Sequence, residues 1–278
     1  MFQVKTMCAE DFEFALKITE QMEWGLAKED FEFMMELEPE GCFVLFDDSE
    51  RIGIATTVSY GKVGWFGNLI ISADRRKRGG GSMLVKHALK SLADRKVKTV
   101  GLYAYIDKIP FYTQLGFKYD SEFTALKGKS FSSATSANLK EAEKQDIKKI
   151  IDCDQTCFGA SRRKLLEPIL LYSKNFSYIS IENNRIVGFA VAKTYDGMAE
   201  LGPVMCEPER SDIAISLLET TLSRLKGLEV SMCVPKKETA IFKMRNASFK
   251  ESFTVARMFF GLPMTDKCIY MPESLERG

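Results

Sequence analysis

The chain has 278 residues, of which 45% are hydrophobic and 28% charged, and its net charge at pH 7 is +1. This length fits two compact domains, because an average domain holds roughly 150 residues, and the composition is that of a globular protein. No apolar run approaches the roughly 20 residues that cross a bilayer, the opening residues show no secretory signal, and the near-neutral charge disfavours nucleic acid, so we expect a cytoplasmic protein with neither a membrane nor a nucleic-acid partner.

The cysteine and histidine content argues against a metal site. The chain has 7 cysteines and 1 histidine, and most of the cysteines stand among apolar neighbours, as small buried residues do. Only Cys153 and Cys157 are close in sequence, and His87 is distant from both, so the ligand spacing of a structural zinc site is missing. We expect no bound metal and a reducing compartment.

The first half of the chain predicts an α/β domain with a mixed sheet. Apolar residues at helical spacing predict helices at Ala9–Trp24 and Ala27–Leu37, after an opening strand at Phe2–Met7. Three strands joined by polar turns follow in the pattern of an antiparallel meander: Cys42–Phe46, Ile52–Tyr60 and Gly64–Ser72. Beyond a glycine-rich loop come a helix at Ser82–Arg95, a strand at Val100–Tyr105, a short helix from Pro110 and a strand at Phe117–Ala125.

The loop after the meander combines basic residues with three consecutive glycines. It reads Arg75-Arg76-Lys77-Arg78-Gly79-Gly80-Gly81-Ser82. Glycine lets the backbone approach a ligand closely, and the first turn of a helix offers unpaired N–H groups, so the loop suits a pyrophosphate. A solvated charge run beside an ordinary flexible turn fits the same residues equally well. The spacing matches neither a phosphate-binding ATPase loop nor a dinucleotide fingerprint.

A second motif follows one strand later. It reads Phe111-Tyr112-Thr113-Gln114-Leu115-Gly116-Phe117. Together with Arg76, Gly79 and Gly81, which match a Q/R-x-x-G-x-G/A pattern, this run resembles the GNAT superfamily of N-acetyltransferases. Without the motif Tyr112 would be interpreted as a core aromatic residue. The two motifs stand in the right order, and the resemblance covers most of residues 1 to 128, which favours a functional role.

The resemblance implies acetyl-coenzyme A (acetyl-CoA) as co-substrate and transfer of its acetyl group to an amine through a ternary complex. It implies that Tyr112 supplies a proton to the departing thiolate. It also implies a set of coenzyme-binding residues: Leu69, Ile70, Ile71, Arg76, Lys77, Arg78, Gly79, Gly80, Gly81, Ser82 and Asp107. The alternatives are a non-catalytic acyl-CoA sensor, a protein lysine acetyltransferase and a regulatory module whose basic loop contacts nucleic acid.

The general base that would deprotonate the amine stays open. The strand Gly64–Ser72 carries no carboxylate at which an incoming ammonium could lose its proton. Tyr60, Asp107 or a water chain ending on a backbone carbonyl could serve, although a structural role explains both side chains better. His87, on the helix after the loop, is expected to be a helix surface residue and not the base.

The second half repeats the pattern of the first. A polar linker at 129–136 separates an acetyltransferase-like domain, 1–128, from a second domain, 137–278. The sequence pattern of the second domain predicts a strand at Ala137–Leu139, helices at Glu141–Cys153 and Arg163–Tyr172, and strands at Tyr178–Ile181 and Ile186–Tyr195. Arg185-Ile186-Val187-Gly188 echoes Arg51-Ile52-Gly53-Ile54, and Ala247-Ser248-Phe249-Lys250 echoes Leu115-Gly116-Phe117-Lys118. The chain thus resembles tandem members of the superfamily, in which a degenerate second copy follows the first.

The second copy has lost the features of a coenzyme site. Its counterpart of the glycine loop, Glu207–Ala214, has no glycine and three carboxylates, which should repel coenzyme A. The turn that contains Asp154 and Arg162 resembles a recurring element of the tandem group, so both residues are candidates to face the acceptor; a capped helix–helix turn is the alternative. We expect the acceptor to be a small amine, an amino acid or another metabolite, held in a cleft between the domains.

Overall fold

The computed structural model describes residues 1–130, 139–239, 248–264 and 269–278, and in it helices flank a large mixed sheet. The helices are α1 Phe12–Glu20, α2 Lys28–Leu37, α3 Gly80–Asp94, α4 Ile109–Gln114, α5 Ile147–Phe158, α6 Arg163–Leu171 and α7 Ser211–Arg224. The strands are β1 Phe2–Thr6, β2 Cys42–Asp47, β3 Glu50–Tyr60, β4 Val63–Ile71, β5 Thr99–Tyr105, β6 Lys118–Lys129, β7 Leu139–Glu141, β8 Phe176–Glu182, β9 Arg185–Tyr195, β10 Met198–Cys206, β11 Glu229–Pro235, β12 Lys250–Gly261 and β13 Ile269–Met271.

The predicted mixed α/β architecture is confirmed, and β2, β3 and β4 form the predicted antiparallel meander. The prediction of a helix at Glu141–Cys153 was wrong in its bounds, since α5 begins only at Ile147 and runs to Phe158. A 3-10 turn at Lys144–Asp146 leads into α5, and the Asp146 carboxylate caps that turn by accepting hydrogen bonds from the backbone N–H of Glu143 (3.0 Å) and from Lys140 (2.9 Å). Such a carboxylate stabilises the first turn of a helix.

The two halves of the chain exchange strands at the centre of one continuous sheet. The strand order is β1-β2-β3-β4-β5-β12-β6-β11-β10-β9-β8-β7, with β13 paired to β10. β6, the last strand of the first half, pairs with β11 of the second half, and β12 pairs with β5 of the first. The two exchanged strands also pair with each other. Each half therefore completes the sheet of the other.

The positions of the repeated segments confirm the internal repeat. Arg51 and Arg185 lie at the starts of β3 and β9, and Lys118 and Lys250 are the first residues of β6 and β12. The predicted domain boundary stays a prediction. β6 reaches Lys129, beyond the predicted end at Ala125, because its residues from Phe123 to Lys129 pair with β11. Residues 131–138 lie outside the described residues.

The core on one face of the sheet belongs to both halves. Residues of α1 and α2 pack there in the same cluster as residues of α5 and α6. The rings of Tyr60 and Trp65, from the first half, contact Phe158 of α5 at centroid distances of 5.6 and 6.3 Å. The opposite face holds two separate cores, one beneath α3 and one beneath α7. The strands β4 and β5 therefore have the core beneath α3 on one face and the shared core on the other.

Candidate functional site

The strands β4 and β5 diverge after a short parallel pairing. They pair only through Val63–Trp65 and Thr99–Gly101. Beyond these residues β4 continues to Ile71 paired with β3, and β5 continues paired with β12. The backbone groups on the free side of β4 after Trp65 therefore meet no other strand within the described part of the chain. The two strands thus leave a gap between them beyond Trp65 and Gly101, and the polar backbone groups at this gap are available to an extended ligand.

The glycine loop lies at the end of β4 and leads directly into α3. Gly79 has a φ of +89°, in the left-handed region that favours glycine, and no atom lies within 4 Å of the position that a Cβ would take there. A Cβ on Gly80 would lie 2.7 Å from Leu45, so this glycine lets α3 begin close against β2. The first-turn N–H groups of Gly80, Gly81 and Ser82 have no acceptor within their own helix. The loop therefore presents an open cradle of N–H donors.

Two of the four basic residues in the loop have partners within the protein, and the other two are exposed. Arg75 is neutralised by three carboxylates: Asp47, Glu50 and Asp74. The Arg76 guanidinium Nε donates to the backbone oxygen of Ile71 (2.9 Å), which ties the loop to β4. Lys77 and Arg78 are exposed and form no ion pair with any residue that the structure describes. Two positive charges thus remain available beside the open N–H groups.

Tyr112 lies on α4, between β4 and the start of α3. Its ring contacts Phe66 of β4 and the neighbouring Phe111 at centroid distances of 6.4 and 5.0 Å. Phe111 in turn lies 3.5 Å from the position of a Cβ on Gly81. Burial raises the pKa of Tyr112 well above its ordinary value. The structure thus brings the tyrosine, the gap and the glycine loop together, as the two sequence motifs predict.

The other residues considered for coenzyme binding or catalysis occupy different environments. Ile70 and Ile71 are buried at the end of β4, so they can offer a ligand only backbone groups. Asp107 is exposed in the turn before α4 and pairs with Lys108. The hydroxyl of Tyr60 donates to a backbone oxygen (2.9 Å), and burial raises its pKa, so this phenol is unsuited to act as a base.

Asp154 and Arg162 lie together, fully buried. The Arg162 guanidinium donates from Nε (3.1 Å) and Nη2 to the two oxygens of Asp154, and from Nη1 to the backbone oxygen of Gly278. Its face stacks on Phe158 at 4.2 Å. Both side chains thus have partners within the protein, a placement that favours a structural role over the predicted contact with the acceptor.

In the described part of the second half, the counterpart of the gap is filled. β10 and β11 pair in parallel through Met198–Leu201 and Glu229–Met232 and then diverge like β4 and β5. There β13 pairs with the outer part of β10, with Val204 opposite Met271. A strand of the chain itself therefore occupies the place that is free in the first half.

The loop before α7 differs from the glycine loop in charge as well. Its carboxylates are those predicted from the sequence: Glu207, Glu209 and Asp212. Arg210 binds the carboxylates of Glu182 (2.8 Å) and Asp212 (3.0 Å). The cation nearest this helix start is thus neutralised locally, which supports the prediction that the second copy does not bind coenzyme A.

The segment 272–278, which we call the tail segment, lies against the first half of the sheet, and the sequence did not predict this. The indole N–H of Trp65 donates to the backbone oxygen of Leu275 (3.1 Å). A Cβ on Gly67 would lie 2.5 Å from the Cβ of Glu276, so only a glycine permits this approach. A glycine within a strand is a signal for a close backbone neighbour, but it does not identify the neighbour.

Two further features are absent from the described residues. No group of three or more histidine, cysteine, aspartate or glutamate side chains there is arranged to hold a metal ion. No helix in the described part of the chain is long and apolar enough to cross a membrane.

Comparison with known proteins gives a match in each half. A family model described as "Acetyltransferase (GNAT) family" matches residues 6–117, and one described as "Acetyltransferase (GNAT) domain" matches residues 150–270. No curated protein gives a significant match.

Solved structures share the fold over the whole chain. A candidate acetyltransferase from Pyrococcus horikoshii is 20% identical, with a TM-score of 0.81 over 100% of this chain and 96% of that one. A GCN5-related N-acetyltransferase from Sphaerobacter thermophilus is 15% identical, with a TM-score of 0.68 over 95% and 97%. A tandem GNAT protein from the clavulanic acid biosynthesis pathway is 12% identical, with a TM-score of 0.60 over 96% and 100%. With a family match in each half and this shared fold, the chain belongs to the GNAT acetyltransferases, as an acyltransferase with two such domains in tandem.

Proposed function

We propose that the chain transfers the acetyl group of acetyl-CoA to a primary amine of a small molecule, directly, within a ternary complex. The observation that carries this proposal is the position of Tyr112, which packs on Phe66 beside the gap between β4 and β5 and next to the start of α3. A glycine loop alone fits many anions. A phenol beside it adds the proton donor that acyl transfer to an amine requires.

The glycine loop fits the pyrophosphate of the coenzyme. The space beside Gly79 is open, and the N–H groups of Gly80, Gly81 and Ser82 lie at the positive end of the α3 dipole. Exposed cations next to the loop complement the phosphate charge. When bound there, acetyl-CoA supplies an acyl thioester. The backbone of β4 after Trp65 would bind the extended part of the coenzyme.

The state of Tyr112 suits proton donation. Because burial raises its pKa, the phenol is protonated at neutral pH and holds a proton for the sulfur that leaves. Its hydroxyl has no hydrogen-bond partner among the described residues, so it is free to donate to a ligand. Removal of this proton donor should slow turnover without weakening coenzyme binding.

The surroundings of β4 support a small acceptor. The helices α1, α2, α5 and α6 pack together on one face of the sheet, and the tail segment covers Gly67 on that face. An acceptor that approaches β4 from this side must enter between elements of both halves. An approach confined in this way would admit a small amine more readily than a lysine on a folded protein surface.

Release of thiol from acetyl-CoA tests the proposal. Free amino acids, polyamines and aminoglycosides are compared with lysine-bearing peptides as acceptors. We expect thiol release with at least one small amine, and we expect Tyr112→Phe to lower kcat roughly 10²–10⁴-fold while coenzyme affinity is retained. Tyr119→Phe, at an exposed tyrosine on β6, is the matched control and should leave kcat unchanged.

Three results would contradict the proposal. Acetylation of peptides alone would replace the small acceptor with a protein. Coenzyme binding without thiol release for any amine would favour a sensor. Full activity of Tyr112→Phe with the true acceptor would remove the phenol from the mechanism.

A further inference from the structure

The tail segment places a carboxylate next to a strand that has none of its own. β4 reads VGWFGNLII and carries no ionisable side chain. A Cβ on Gly67 would lie 2.5 Å from the Cβ and 2.6 Å from the Cα of Glu276. Glu276 thus occupies the space that a side chain at position 67 would fill. It lies beside the part of β4 that no longer pairs with β5.

Glu276 and Tyr112 lie on opposite faces of the sheet. Side chains of a strand alternate between its faces. Phe66 packs with Tyr112 in the core beneath α3, whereas Trp65 packs in the shared core on the other face. Gly67 faces the same side as Trp65, and Glu276 meets it there. A proton donor and a carboxylate therefore flank β4 from its two sides.

The Glu276 carboxylate is only partly neutralised. Among the described residues it pairs with Arg277, at 2.9 Å, and Arg277 also binds both oxygens of Glu273, at 2.9 and 3.3 Å. Lys193 binds Glu273 (2.6 Å) and Glu200 (2.8 Å). The cluster thus has two cations, Lys193 and Arg277, and three carboxylates, those of Glu200, Glu273 and Glu276. The second oxygen of Glu276 has no partner among the described residues, and the side chain is 19% exposed, so an acceptor or a water molecule can reach it.

These surroundings favour proton acceptance by the Glu276 carboxylate. Burial raises the pKa of the Glu276 carboxyl, and the carboxylates of Glu200 and Glu273 raise it further, whereas Arg277 and Lys193 oppose the rise. A carboxyl group with a raised pKa is a stronger base than an ordinary glutamate. It is ionised, and able to accept a proton, above that raised pKa.

We infer that Glu276 is the general base of the acetyl transfer, supplied to the first copy by the tail segment that follows the second. The inference rests on the proposed function. A proton of the acceptor ammonium passes to a Glu276 oxygen, and the nitrogen lone pair forms the bond to the acetyl carbon. The C–S bond breaks with its electron pair going to sulfur, which takes the Tyr112 proton. The phenolate regains a proton from solvent, and Glu276 and the product nitrogen each release one to solvent.

The test is the pH dependence of thiol release in wild-type protein, Glu276→Gln and Glu200→Gln. In the wild type kcat/KM should fall as the pH drops through the raised pKa of Glu276. In Glu276→Gln this limb should disappear, kcat at neutral pH should fall roughly 10²–10⁴-fold, and the affinity for coenzyme A should stay unchanged. Activity of this variant should then rise only with the deprotonation of the acceptor amine itself.

Glu200→Gln is the matched control, because it removes a carboxylate of the same cluster that does not meet β4. It should retain the plateau value of kcat and move the acid limb to lower pH, since one of the charges that raise the pKa of Glu276 is gone. A merely structural role of Glu276 would not produce this shift. Wild-type turnover with an unchanged pH profile in Glu276→Gln would overturn the base alone. No turnover by the wild type with any amine would overturn the proposed function and the base with it.

Discussion

The buried pair of Asp154 and Arg162 allows a quantitative test of whether these residues support the structure or bind the acceptor. Arg162→Met removes the cation and leaves the Asp154 carboxylate buried without a counter-charge, since both side chains are fully buried. Loss of one partner of such a pair costs about 3–5 kcal/mol. Unfolding entropy is about 2.1 cal/mol/K per residue, hence about 0.6 kcal/mol/K for 278 residues. The expected fall in Tm is about 5–9 °C.

The assay is thermal unfolding followed by circular dichroism, together with the KM of the acceptor. The double variant Asp154→Leu/Arg162→Met removes both charges, and we expect it to recover most of the loss, because an apolar pair avoids the desolvation cost of the buried ions. Arg163→Met is the matched control. Arg163 is exposed and, among the residues that the structure describes, pairs only with Glu167 (3.1 Å), so its replacement should change stability by less than about 0.5 kcal/mol.

Catalysis should respond to Arg162→Met only through the structure. Arg162 binds Asp154 of α5 and the backbone of Gly278, so it fastens the tail segment to the second half. Its loss should therefore loosen Glu276 as well as lower the Tm. The reasoning is refuted if Arg162→Met unfolds at the wild-type temperature and raises the KM of the acceptor alone. That result would assign Arg162 to acceptor binding, the other role that its sequence context suggested.

Two further predictions concern the gap and the strand beside it. Calorimetry should find one molecule of coenzyme A bound per chain, because β13 fills the second gap, and two equivalent sites would contradict this. Gly67→Ala should lower kcat about as much as Glu276→Gln with coenzyme affinity retained, since the new Cβ would meet the main chain of Glu276 at 2.6 Å. Gly64→Ala is the control on the same strand, because its nearest contacts would be side-chain methyl groups at 3.1 Å and a backbone oxygen at 3.3 Å. Equal losses of kcat in both variants would reject a special role of position 67.

The local part of the site could be predicted from the sequence because its elements are close in the chain. The glycine loop, the helix after it and Tyr112 lie within one strand–helix–strand–helix stretch, whose hydrophobic periodicity predicts each element. The positions of Gly79 at a left-handed φ and of Tyr112 against β4 agree with that prediction. The repeated strand beginnings at Arg51 and Arg185 likewise reveal the duplication without a structure.

The long-range part could not be predicted, for a physical reason. Periodicity shows that β6 and β12 are strands, but it does not choose their partners, and a partner in the other half satisfies the same backbone groups as one in its own half. The contact of Glu276 with Gly67 joins residues far apart in the chain, and the only local trace is a glycine in a strand. From the sequence the base therefore stays open between Tyr60, Asp107 and a water chain that ends on a backbone carbonyl, because no local signal points to Glu276.

The strand at the second gap and the carboxylate beside the first gap belong to one continuous piece of chain. β13 enters the gap beside β10, where a second coenzyme would otherwise lie, and the chain that leaves β13 becomes the tail segment at β4. The exchanged strands add a second dependence, because β12 pairs with the edge of β5 that faces away from the first gap and so holds β5 in place. If Glu276 is the base, an isolated first half would lack both its base and the strand beside its site, which explains physically why a copy without a glycine loop is kept in the molecule.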